Sequence, residues 1–133
     1  MTNDQILMAK QISGANEEMP RRTYDLEDRT STFAKNCTDL CRLLQRDTIN
    51  IEFISQLVRA SSSVGANYRE ANEASSKKDF YYRIAVCRKE AKETKYWLDL
   101  VLYANTKQSE PIKILIDESM QLTRIFAAIS NKK

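Results

Sequence analysis

The chain has 133 residues, with 21 Lys and Arg against 18 Asp and Glu and a formal net charge of +3. That length suits one domain with a substantial core and no need of disulfide or metal staples. The charge excess is too mild to mark a nucleic-acid binder, though it leaves one open, and the absence of histidine excludes Ser–His and Cys–His dyads and the Glu-x-x-His motif of di-iron bundles. Only Gly14, Gly65, Pro20 and Pro111 supply turn chemistry, which disfavours an all-β fold and favours a few long helices.

Residues 1–22 read as a flexible N-terminal arm, because Gly14 and Pro20 interrupt any helix that Ile6, Leu7 and Ile12 would support. This region has an early acidic residue and no apolar run of signal-peptide length, and no segment approaches the ~20 apolar residues of a membrane span. A cytoplasmic location without membrane contact is therefore expected. Residues 23–133 read as a four-helix bundle domain.

The first helix is expected from Asp25, a good N-cap, with Leu26, Phe33, Cys37, Leu40 and Leu44 at heptad-like spacing. The second begins at about Thr48–Asn50 and runs to about Ala74, carrying two adjacent seams. One holds Ile51, Ile54, Val58, Ser61, Gly65, Tyr68 and Asn72; the other holds Phe53, Leu57, Ala60, Val64, Asn67, Ala71 and Ala74. Its middle is almost all Ala, Ser, Gly and Val, so a neighbouring helix is expected to approach closely there.

Ser75 or Ser76 caps a third helix from about Lys77 to Asn105, with a main seam through Phe80, Ile84, Cys87, Ala91, Thr94, Leu98 and Val101. A second seam runs through Tyr82, Val86, Glu93, Tyr96, Leu100 and Tyr103, as on a helix that is central or touches another subunit. The fourth opens at Ser109-Glu110-Pro111, with Ser as cap, and continues through Ile112, Leu115, Ser119, Leu122, Phe126 and Ile129. Short connections make consecutive helices antiparallel, so the expected fold is an all-α, up-down-up-down four-helix bundle.

The tight Ser75–Ser76 turn aligns the second and third helices, because facing residues should have numbers summing to about 151 at helical rise. Arg59 then pairs with Glu93 or Glu90, and Glu70, which with Asn67 lies opposite the segment from Tyr81 to Ile84, pairs with Arg83. Such pairs set register more than stability. The two Glu-x-x-Glu patterns, Glu70/Glu73 and Glu90/Glu93, invite comparison with the Mg²⁺ sites of all-α nucleotide hydrolases. They lie roughly 20 Å apart along the hairpin, too far for one ion to bridge. Cys37 and Cys41 lie four apart, but with Cys87 they leave an odd count and no second pair; buried reduced thiols are expected, not zinc. No catalytic residue, metal or cofactor is expected.

Basic residues concentrate on the third helix. Lys77, Lys78, Arg83, Arg88 and Lys92 are the candidate contacts to RNA or DNA phosphates, with Lys89 and Lys95 nearby. Much of this set also suits an ordinary solvated face interleaved with Asp79, Glu90 and Glu93. Tyr81, Tyr82 and Tyr96 fit packing or an interface, with base stacking as the alternative.

The segments QLVRASSSVGANYREA, SSKKDF and KEAKETKYWL, preceded by YDLEDRTSTFA, closely resemble the 23S rRNA intervening-sequence proteins, also labelled S23 ribosomal proteins. Ala60-Ser61, Val64 and Tyr68 depart mildly from that pattern. The resemblance implies an antiparallel four-helix bundle that assembles into a ring-shaped homopentamer, with no established chemistry. Many such proteins are encoded inside 23S rRNA genes, and a related branch serves as accessory subunits of diversity-generating retroelements. The expected function is a non-enzymatic, homo-oligomeric accessory or scaffold associated with nucleic acid. The alternatives are a protein-interaction module without nucleic acid and a Mg²⁺-dependent nucleotide hydrolase.

Overall fold

A computed structural model describes residues 25–132. The arm expected at residues 1–22 lies outside the described residues. Among the described residues four α-helices follow one another: α1 (Leu26–Leu43), α2 (Thr48–Asn72), α3 (Lys77–Ala104) and α4 (Ser109–Ser130), with a 3-10 turn, Thr106–Gln108, before α4. Each packs against its sequence neighbour, and a thinner contact between α1 and α4 closes the square. The architecture is the up-down-up-down bundle that the short connections require.

The helix boundaries have local causes. Asp25 occupies the N-cap position of α1 but makes no side-chain capping bond, while Glu27 and Asp28 place negative charge in the first turn. Asp47 caps α2 by accepting from the Asn50 backbone N–H at 2.8 Å, and Ser76 caps α3 by accepting from Asp79 N–H at 3.1 Å. Ser109 differs from its expected role. It is itself helical (φ −57°, ψ −39°), because the preceding 3-10 turn already satisfies the chain entry, and its hydroxyl makes no cap. Pro111 then sits in the first turn of α4, where a missing N–H removes no helical bond.

The core runs the length of the bundle, with Phe33 and Leu40 of α1, Leu57 and Val64 of α2, Ile84 and Leu98 of α3, and Leu122 and Phe126 of α4 all buried. On α2 the seam through Leu57, Ala60, Val64 and Ala71 faces inward, whereas Ile51 and Val58 of the other seam are exposed. On α3 the main seam from Ile84 to Val101 is buried, and Tyr82, Tyr96 and Tyr103 of the second seam face solvent.

The small middle of α2 accommodates α1. A Cβ at Gly65 would lie 2.9 Å from Thr30 Oγ1 and 3.3 Å from Thr30 Cβ. Thr30 is fully buried, and its hydroxyl donates to the Leu26 carbonyl at 2.6 Å. Polar pairs fix the remaining edges. Arg29 of α1 forms a two-pronged contact with Glu118 of α4 at 2.8 Å for each bond, and also donates to Gln121 Oε1 at 2.9 Å. At one end of the bundle, Asn50 and Asn105 exchange reciprocal amide bonds of 2.8 and 2.9 Å. Asn50 also donates to the Gln45 carbonyl and Asn105 to the Val101 carbonyl, so both buried amides are well satisfied.

Candidate nucleic-acid interface

The α2–α3 hairpin organises the charged surface. Arg59 reaches across it to Glu93, and at 3.4 Å to Glu90, at the register implied by the tight turn. The two carboxylates respond in opposite directions. The hydrogen bond from Arg59 holds Glu93 below the usual carboxylate range, whereas burial, then the neighbouring Glu93, pushes Glu90 up despite the same guanidinium. Glu93 also raises the Arg59 guanidinium further above its ordinary value. With Arg59 set between them, Glu90 and Glu93 act as a structural clasp.

Arg83 does not join Glu70. It donates to Asn67 Oδ1 at 2.9 Å, and Glu70 stands exposed with no ion pair among the described residues. Helical rise brings both Asn67 and Glu70 to about the level of Arg83, but rotation turns Asn67 towards α3 and Glu70 towards water, where an ion pair gains little. The same contact removes Arg83 from the outward basic face, since it sits half-buried at the α2–α3 seam.

The other candidate cations stay together. Lys77, Lys78, Arg88 and Lys92 are all exposed on the solvent side of α3, and none has an ion-pair partner among the described residues. Fifteen steps of helical rise separate Lys77 from Lys92, a stripe about 22 Å long. Lys95 is held differently, by Asp99 one turn on, at 2.9 Å. Where the stripe meets the end of the bundle, Lys77, Lys78, Tyr81, Tyr82, Ala85 and Lys132 line an open hollow of about 530 Å³. Lys132 was not singled out in the sequence. The signal for it was topological, because antiparallel packing returns the end of α4 to the start of α3.

The thiols are not part of this surface. Cys37, Cys41 and Cys87 are free and buried, and burial pushes Cys41 up to about 11 and Cys87 up to about 12, with Cys37 raised further still. No group of three or more metal-ligating side chains occurs among the described residues. No helix among them is long and apolar enough to cross a membrane.

The fold and the resemblance in sequence converge on one family. The model of the 23S rRNA-intervening sequence proteins matches residues 22–128. The chain belongs to that family. The bundle is also similar to the crystal structure of a protein of unknown function from the S23 ribosomal protein family of Bacteroides thetaiotaomicron. The TM-score is 0.71 at 29% identity, covering 78% of this chain and 96% of that one. No curated protein matches the chain.

Proposed function

We propose that this member of the family is a non-enzymatic helical bundle that assembles with copies of itself and serves as a nucleic-acid-associated accessory. The observation that carries the reading is the stripe of cations without ion-pair partners among the described residues, Lys77, Lys78, Arg88 and Lys92, on the solvent side of α3. A net charge of +3 does not show where the cations lie: the Arg59 clasp and the Arg29–Glu118 pair set acids and guanidinium groups against each other at helix seams, whereas these four cations stand together on one face. Repetition of the stripe around an oligomer, a pentamer by resemblance to the family, would multiply phosphate contacts without raising the charge of each copy.

The test is an anisotropy titration against a hairpin derived from 23S rRNA and an unrelated RNA, at low and physiological salt. Affinity that falls steeply with salt, and falls again in a Lys77→Gln, Lys78→Gln, Arg88→Gln, Lys92→Gln variant, supports the reading. No binding at low salt overturns it. A second reading, a module that contacts protein and no nucleic acid, is favoured by the exposed rings of Tyr96 and Tyr103. Native mass of the wild type and of Tyr96→Ser, Tyr103→Ser separates self-association through those rings from contact with another protein.

A further inference from the structure

We infer that the hollow at the start of α3 is a subsite for single-stranded nucleic acid, holding one unstacked base against Tyr82 and the adjoining phosphates between Lys77, Lys78 and Lys132. The inference rests on the nucleic-acid reading above and narrows it to one kind of strand.

The hollow brings together two chemistries that a solvated helix face does not need. Its three lysines come from two elements that meet at one end of the bundle, Lys77 and Lys78 from the start of α3 and Lys132 from the turn after α4. None has a carboxylate within ion-pair distance among the described residues. The two tyrosines beside them are held differently. Tyr81 is half-buried, with its ring edge-on to Phe80 at 5.1 Å between centroids, and it forms a wall. Tyr82 is 62% exposed, far more than packing of so large a ring explains.

Tyr82 is nonetheless restrained. The Arg83 guanidinium lies 5.7 Å from its ring centroid, and Arg83 is itself anchored on α2 by the 2.9 Å bond to Asn67. The guanidinium lies over one face of the ring and restrains it, while the ring's large exposed area remains for a base to stack on. The volume, about 530 Å³, is on the scale of small-ligand sites and suits one nucleotide step better than a length of helix. Duplex phosphates can reach the lysines, but duplex bases are stacked inside and cannot use the ring. An aromatic platform beside a cationic groove is how proteins hold single strands with little preference for sequence.

The experiment compares a fluorescent ten-nucleotide single-stranded RNA of mixed sequence with the same strand in a duplex. Both are titrated against wild type, Tyr82→Ala, Tyr82→Phe, and the triple variant Lys77→Gln, Lys78→Gln, Lys132→Gln, over a salt series. The expected result is that Tyr82→Ala weakens single-strand binding about ten-fold with an unchanged salt slope, since one base–aromatic stack is lost. Tyr82→Phe should retain the affinity, and duplex binding should change less than about two-fold with either variant. The lysine variant should flatten the slope for the single strand by about 2, from three phosphate contacts.

Equal binding of both forms, with Tyr82→Ala neutral on each, would overturn the inference and leave the nucleic-acid reading standing. No salt-sensitive binding of either form overturns both. A change of native mass in Tyr82→Ala would assign the ring to a subunit contact and overturn the inference as well.

Discussion

Replacing Gly65 with Ala tests whether α1 and α2 are as close as their small residues imply. In a free helix the change would stabilise by about 1 kcal/mol, because Gly is the weaker helix former. Here the new Cβ would meet Thr30 Oγ1 at 2.9 Å and Thr30 Cβ at 3.3 Å, and a third contact follows at 3.6 Å with the Thr30 backbone. Thr30 cannot swing aside freely. It is β-branched, fully buried, and bonded through its hydroxyl to the Leu26 carbonyl. Overpacking of this kind costs about 1–3 kcal/mol, so Gly65→Ala is expected to destabilise by up to about 2 kcal/mol after the propensity gain is set against it.

The decisive measurement is a double-mutant cycle with Thr30→Ala, read by urea denaturation. Removing the Thr30 hydroxyl and methyl should make Gly65→Ala stabilising, with a coupling of about 1–3 kcal/mol between the two sites. A coupling below about 0.5 kcal/mol, or a Gly65→Ala protein more stable than wild type, would refute the close approach.

Arg29→Ala should destabilise by about 2–3 kcal/mol, because it strands the Glu118 carboxylate, whose side chain is only 8% exposed. The apolar pair Arg29→Met, Glu118→Leu should recover most of that in the same denaturation assay, and a loss below about 0.5 kcal/mol for Arg29→Ala would show the contact to be idle. The Arg59 clasp predicts opposite pH behaviour for its two acids. Glu93 is held down, so its contribution is full above about pH 4.3 and is lost as pH falls through its folded value. Glu90 is pushed up, so its contribution is full below about pH 4.3 and is lost as pH rises through its folded value. At pH 7, Glu93→Gln should therefore cost up to about 1 kcal/mol and Glu90→Gln nothing or less than nothing. Identical thermal-melt pH profiles for the two variants would refute the assignment. Finally, the buried thiols of Cys37, Cys41 and Cys87 should resist an aromatic disulfide reagent at pH 8 while the fold is intact and react together on unfolding. Prompt labelling of one thiol in the native protein would contradict its burial.

The helices and their inward faces were legible because apolar residues recur every three or four positions and almost no Gly or Pro interrupts them. The Arg59 clasp was legible for a different reason: a short turn at Ser75–Ser76 fixes which residues of α2 and α3 stand level. Level is only half of a contact. Rise placed Glu70 near Arg83, but rotation about the helix axis decided for Asn67, and a list of facing numbers carries no rotation. The Arg29–Glu118 pair was not legible, because its residues are 89 apart and no short loop sets the α1–α4 register. The Asn50–Asn105 exchange lies at the far end of the α2–α3 hairpin, where Asn105 has already left the helix (φ −136°, ψ 69°), so a count of helical positions no longer tells where its side chain points.

These long-range polar contacts also determine what the surface can do. Arg29 and Arg59 have carboxylate partners, and Arg83 has the Asn67 amide; all three stand at helix seams, where they set register. The cations left without partners among the described residues include Lys77, Lys78, Arg88 and Lys92, gathered on one side of one helix. Net charge averages these two populations into a small number and hides the distinction. A phosphate backbone responds to the local field within about a Debye length of 8–10 Å, not to the sum over the chain. A bundle of modest net charge can therefore carry a locally basic stripe, and the α2–α3 register decides that Arg59 and Arg83 are drawn to the seam and not left in it.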